Sequence, residues 1–217
     1  MSNNWKSKLE KRVREYFKGY SGCHDYYHAE RTLKYALEIS KKIQADRDIV
    51  YAGALLHDIG YKNNSKDEGD HHKFGIKIAK KWLPEIGFPE GKIGEVLEII
   101  RLHDNFSWGH NYEPTEKNEI KIIQDADRID ALGAVGIARF AMYFGEKRYP
   151  LYDPTPPPKT KVVWLNHDLA DQLRRDGIKK YENLNFEYSK KISKTQYNYL
   201  KNFYKTLKKE LEEAHLK

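Results

Sequence analysis

Apolar residues recur at three- and four-residue intervals along almost the whole chain, and that period decides the fold class. Leu33, Ala36, Leu37, Ser40 and Ile43 form one such stripe. Ile93, Val96, Leu97 and Ile100 form a second, which His103 continues. Ile192, Gln196, Leu200, Phe203, Leu207 and Leu211 form a third along the last helix. Side chains at these spacings share one helical face, which is the face a core covers. The two-residue alternation of a half-buried strand does not occur, and Val162-Val163-Trp164-Leu165 is the one short candidate.

Start and stop signals divide the pattern into helices at about 5–18, 26–44, 46 or 48 to 58, 70–82 and from Pro89 onward. Asp25 is a good N-cap for the second helix, Gly60 stops the third, and Pro84 should end the fourth. Residues 116–145 read as one long helix or two joined ones, with Gly133 and Gly136 permitting a close crossing or a break. Further helices are expected at 168–182 and 186–214. The sequence therefore predicts an all-α, single-domain helical bundle over residues 1–217. A proline-rich excursion at 147–167, a loop or lid, holds Pro150, Pro154 and Pro156-Pro157-Pro158. Residues 168–217 supply the C-terminal helices.

Composition narrows the function classes. A chain of 217 residues is long enough for one well-cored domain. Charged residues make up 33% of it, and no apolar run approaches the roughly 18 residues of a membrane span. The N-terminus lacks the apolar core of a secretory signal, so the expected compartment is the cytoplasm, with no membrane partner. The single cysteine, Cys23, excludes an internal disulfide and a thiolate metal cluster made by one chain. A net charge of +7 points to anionic partners, either nucleic acid or small phosphorylated molecules. Much of that excess sits in Lys190, Lys191, Lys194, Lys201, Lys205, Lys208 and Lys209, a run that reads first as a solvated helix face. Oligomeric state is not legible.

The chemistry concentrates in four residues. His57-Asp58 closes the apolar helix YAGALLHDIG, His28 lies in the first turn of the helix after Asp25, and Asp127 lies on or near an inward face of IIQDADRIDALGAVG. A carboxylate directly after an apolar run is expensive to bury alone, and an ion would neutralise it. Two imidazoles and two carboxylates suit a hard or borderline divalent ion such as Mn, Mg, Co, Ni or Fe. Such an ion could activate water against a phosphate ester. His24 rivals His28 but precedes the ordered turn, so it reads as a loop residue or a substrate contact. Arg31 shares a helical face with His28, and Lys62 follows HDIGY closely. Both are candidates to neutralise phosphate charge, so Asp58, Lys62 and Arg31 form the expected catalytic set. Arg31 could instead hold Asp58 or Asp127.

In order and in local context, His28, then His57-Asp58, then Asp127 resemble the HD-domain metal-dependent phosphohydrolase superfamily. The matching stretches are HDYYHAERTLKYA, GALLHDIGYK and IIQDADRIDALGAVGIAR. Within the superfamily they are closest in kind to the small single-domain HD hydrolases. The resemblance covers about residues 20–145. It implies an all-helical domain in which His28, His57, Asp58 and Asp127 bind one divalent ion. It also implies that His72 and His103 either contact substrate phosphate or hold a second ion with Asp58 bridging. The expected function is hydrolysis of a small phosphorylated metabolite, a nucleotide above all, by pyrophosphohydrolase or nucleotidase action. Lys62, Arg31, His72 and His103 are the expected substrate contacts. The alternative from another class is a nucleotide-sensing or nucleic-acid-binding helical module with a vestigial metal site. A metal-dependent oxygenase on the same scaffold is a third.

Overall fold

The computed structural model describes residues 4–20, 23–63, 71–105, 113–153 and 168–215, and the statements below concern these. The secondary structure is all helical, with no strand among the described residues. The candidate strand at Val162 to Leu165 and the prolines from Pro154 to Pro158 lie outside the described residues. The described chain forms two compact units, one built up to Asp127 and one from Arg128 onward.

The first unit contains α1 (Asn4–Phe17), α2 (Tyr26–Ile39), α3 (Arg47–Leu56), α4 (His71–Ile86), α5 (Ile93–Leu102) and most of α6 (Asn118–Asp130). Its centre is α3, which packs on α1, α2 and α5. That position explains its composition: Val50, Ala52, Ala54, Leu55 and Leu56 are all buried. Gly53 lets α5 approach closely, because a Cβ there would stand 2.7 Å from Ile99 Cδ1. Asp46 caps α3, its carboxylate accepting from the amides of Asp48 (2.9 Å) and Ile49 (3.3 Å).

Two helix ends differ from the sequence expectation. The second helix stops at Ile39 rather than near 44, because Ser40 Oγ donates to the Ala36 carbonyl (2.7 Å) and the chain turns. The fourth runs through Pro84 to Ile86. The stripe Gly75, Ala79, Leu83 and Ile86 is buried on one side, and that burial outweighs the hydrogen bond Pro84 cannot make. Gly87, at φ +79°, then ends the helix, with the Phe88 amide donating to the Leu83 carbonyl (3.0 Å).

The second unit holds the end of α6, α7 (Gly133–Lys147), α8 (Leu169–Gln172), a π-helical turn at Leu173–Ile178, α9 (Lys179–Glu182) and α10 (Glu187–His215). The joined-helix alternative for 116–145 is the one observed. The break falls at Ala131 and Leu132, where Gly133 takes φ +67°. The helix expected over 168–182 is interrupted by the π turn. Leu132, Tyr197 and Leu200 form one core cluster here, and Phe144, Leu169 and Leu173 form another.

Candidate metal centre

Each expected ligand is positioned by a specific local device. Asp25 accepts from the backbone amide of His28 (2.8 Å), which fixes His28 in the first turn of α2. His57 is the C-cap of α3 and Asp58 follows it, so both sit just past the helix end. Asp127 comes from α6. All of these except Asp127 are at most 5% exposed, and the Asp127 side chain is 13% exposed.

The donor atoms converge. His28 Nε2 lies 3.1 Å from His57 Nε2, 3.2 Å from Asp58 Oδ2 and 3.4 Å from Asp127 Oδ1. His57 Nε2 lies 3.3 Å from Asp58 Oδ2. Ligands about 2.1 Å from an ion stand roughly 3.0 Å apart at neighbouring corners of an octahedron and roughly 3.4 Å apart in a tetrahedron. The observed separations fall across that interval, so the residues fit a divalent ion.

The tautomers agree. His57 Nδ1 lies 2.8 Å from the Ala54 carbonyl oxygen. A carbonyl can only accept, so Nδ1 carries the proton and neutral His57 presents a lone pair on Nε2. That lone pair points at another imidazole nitrogen and a carboxylate oxygen. Buried acceptors facing one another require protons or a cation between them. Without an ion, protons fill that role. Burial alone would push His57 down, yet the neighbouring Asp58 charge raises it above the ordinary imidazole value. Burial likewise opposes ionisation of Asp58, but the His57 and His24 charges hold it well below the usual carboxylate range.

His24 is closer to this chemistry than a loop residue would be. Its Nδ1 lies 2.7 Å from Asp58 Oδ2, and its ring stacks on Tyr61 at 4.0 Å. Tyr61 stacks in turn on His71 at 4.1 Å. Gly60 makes this arrangement available, because a Cβ there would collide with the backbone of His71 and Gly75 at the start of α4.

His103 is brought to the same carboxylate, its Nε2 standing 3.0 Å from Asp58 Oδ1. His72 is not in this first set; its Nε2 lies 3.2 Å from Asp104 Oδ1. Arg31 lies half-buried on α2, one turn beyond His28. Lys62 is placed away from the expected catalytic position. Its Nζ donates to the Tyr16 carbonyl and reaches the Lys18 carbonyl at 3.5 Å. The negative end of α1 captures the ammonium. Sequence reading named His24 as a loop residue or a substrate contact without its reach to Asp58, and did not single out His71 and Asp104 beside His72. Trp108 and Tyr112, residue types that could stack on a nucleobase, lie outside the described residues.

Comparison with known proteins matches residues 25–132 to the HD domain family. A crystal structure of an HD-superfamily hydrolase from Bacillus thuringiensis shares 29% identity, covers 95% of this chain and 96% of its own, and superposes with a TM-score of 0.68. The chain belongs to the HD-domain superfamily. Its all-α architecture is the HD fold, and its family assignment is that of a hydrolase. The uncharacterised protein YpgQ of Bacillus subtilis is 28% identical over 191 residues, 88% of this chain and 86% of YpgQ. YpgQ has been solved in complex with ADP, and that structure superposes with a TM-score of 0.71 over 94% of this chain and 97% of its own. Ribonuclease Y of Desulforudis audaxviator is 30% identical over 111 residues, 48% of this chain but 19% of that protein. No helix among the described residues is long and apolar enough to cross a membrane.

Proposed function

We propose that this chain is a divalent-metal-dependent phosphohydrolase whose substrate is a small nucleotide. The observation that carries the reading is the convergence of His28, His57, Asp58 and Asp127, with donor separations of 3.1 to 3.4 Å on side chains at most 13% exposed. Such an ion, when bound, polarises a phosphoryl oxygen and lowers the pKa of coordinated water. The rest of the site orients and balances charge. The Ala54 carbonyl locks the His57 tautomer, and Asp58 presents one oxygen to the first set and the other to His103. His24, hydrogen-bonded to Asp58 at the mouth of the set, is placed to hand protons to and from that carboxylate. Arg31 supplies positive charge one turn from His28, and His72 and His103 face the phosphate directly or through an ion of their own. Water adds to phosphorus and the P–O bond to the leaving group breaks, in an anhydride for pyrophosphohydrolase action or in an ester for nucleotidase action.

The nucleotide assignment rests on YpgQ, which matches most of this chain and whose structure was solved with ADP. The test is a panel of nucleoside mono-, di- and triphosphates assayed with Mn, Mg, Co, Ni and Fe(II), with the product identified as phosphate or pyrophosphate. Turnover lost in Asp127→Asn supports the reading. No turnover with any pair of substrate and ion refutes it.

The match to ribonuclease Y favours a second reading, RNA as the bound polymer. Three lysines of α10, Lys190, Lys208 and Lys209, pair with Glu187, Glu212 and Glu213 on the same helix and add little to it. Steeply salt-dependent RNA binding without nucleotide turnover would select that reading.

A further inference from the structure

We propose that the outward face of α7 is a docking surface for a second copy of this chain. The proposal goes beyond the phosphohydrolase reading and does not rest on it. On its inner side α7 buries Gly133, Gly136 and Phe144. Opposite them, Ala134, Val135, Ala138, Ala141, Met142 and Gly145 are exposed. At 3.6 residues per turn these six share one face along most of the helix.

No charged side chain interrupts that face. Arg139 lies to one side of it and pairs with Asp130 at 2.9 Å, and Glu146 and Lys147 come only as the helix ends. The exposed side of α4 shows the contrast, since it carries Lys73, Lys77, Lys80, Lys81 and Glu85. A surface helix keeps its polar residues on the side away from the core, and a helix apolar on both sides is one that more protein covers. Val135 is 45% exposed and Met142 52%, and just beyond the helix Tyr149 and Leu151 are 41% and 53% exposed.

Shape, area and charge together select a copy of the chain as the occupant. Val135 and Met142, seven residues apart, form a raised row, while Ala134, Ala138, Ala141 and Gly145 form a shallow row beside it. Ridge and hollow thus occur on one face, so the face is complementary to itself, as a two-fold interface requires. The exposed helix face amounts to roughly 350 Å², and Tyr149 and Leu151 bring the patch to roughly 500 Å². A stable interface buries about 800 Å² per partner, and about 65% of that is apolar in homodimers, or roughly 500 Å². The patch therefore matches the apolar part of one side. The net charge of +7 makes two copies repel, and this face adds nothing to that repulsion.

The experiment is sedimentation equilibrium of the purified full chain, without metal or substrate. Interfaces of this area commonly dissociate in the micromolar range, so mass is read from about 1 to 200 μM. The mass of two chains is expected at the upper end, falling to that of one on dilution. Ala138→Arg and Met142→Lys each place a charge on the face, at exposed helical positions that both new residues tolerate. Each should weaken pairing at least about tenfold, because an unpaired charge is then buried at the contact. Helicity and melting at the lowest concentration establish that both variants are folded. Lys80→Ala, on the exposed side of α4, is the control and should pair as the parent does. The mass of one chain at every concentration of the parent overturns the proposal. So does a dimer that neither Ala138→Arg nor Met142→Lys weakens, or one that Lys80→Ala weakens as much as they do. Mass is read apart from turnover, so failure of the nucleotide assay leaves this result standing, and the reverse holds too.

Discussion

Gly60→Ala tests whether the close approach of the His57-Asp58 turn to α4 holds the centre together. Gly60 is not among the glycines with positive φ, so alanine suits its backbone and the penalty is steric alone. A Cβ there would stand 2.7 Å from the amide nitrogen of Gly75 and 2.9 Å from the carbonyl carbon of His71, and would overlap the His71 carbonyl oxygen. Ordinary contacts of this kind need about 3.5 Å, so α4 must withdraw by on the order of 1 Å. Overpacking of this sort costs roughly 1–3 kcal/mol. For a chain of this size each kcal/mol lowers Tm by about 2–4 °C, which gives a fall of a few to about ten degrees. The same shift carries His71 and His72 away from Asp58 and His103. A 1 Å misplacement costs about 100-fold in turnover. The assay is a thermal melt of the metal-free chain, followed by phosphate release with metal added. Gly94→Ala is the matched control, because nothing lies within 4 Å of a Cβ there and it sits inside α5. It should gain about 0.5–1 kcal/mol from helix propensity. If Gly60→Ala melts with the parent and turns over at the parent rate, the reasoning about α4 is wrong.

Three further outcomes follow from the geometry. Metal affinity should rise as pH rises past the ordinary imidazole value, with release of protons, because Asp58 raises His57 and His103 above that value against the opposing effect of burial. A calorimetric titration showing pH-independent affinity would contradict this. Asp46→Ala should cost about 1 kcal/mol through loss of the α3 cap. Burial would raise the Asp46 pKa, but the hydrogen bonds from Lys92, Ile49 and Asp48 lower it. Its contribution is therefore present above the ordinary carboxylate value and lost as pH falls through the depressed one, so the Tm gap between parent and variant should close in acid. Lys62→Ala should lower stability by less than about 1 kcal/mol and leave metal stoichiometry intact, since its ammonium caps the end of α1. A collapse of turnover at unchanged Tm would instead show that Lys62 leaves those carbonyls to act on phosphate.

What could be read from the chain and what could not divides along locality. The capped start of α2 and the end of α3 near His57 are each decided within one or two helical turns and were legible, while the break near Gly133 was one of two alternatives left open. The end of α4 was not legible, because Pro84 is overruled by Leu83 and Ile86 burying themselves against other helices. Lys62 was misplaced for a related reason: its partners, Tyr16 and Lys18, lie more than forty residues earlier in the chain. A flexible cation next to a metal motif looks catalytic until a helix end far away in sequence claims it.

The candidate metal centre shows the same division within a single carboxylate. The convergence of His28, His57, Asp58 and Asp127 was expected because each has its own local signature, a cap, a helix end or an inward face. The partners on the other side of Asp58 have none as individuals. His103 continues the α5 stripe and His71-His72 opens a helix, so His72 and His103 were named through the family resemblance alone, as phosphate contacts or as ligands of a second ion bridged by Asp58. Their meaning lies in a relation: one carbonyl, Ile100, receives both His72 and His103 and turns their remaining nitrogens toward acidic oxygens. The one sequence trace of that relation is a second His–Asp pair after a second apolar run, His103-Asp104 after EIIRL. A buried helix that ends in His–Asp places an anchored imidazole and a carboxylate at its negative pole, wherever in the chain it occurs.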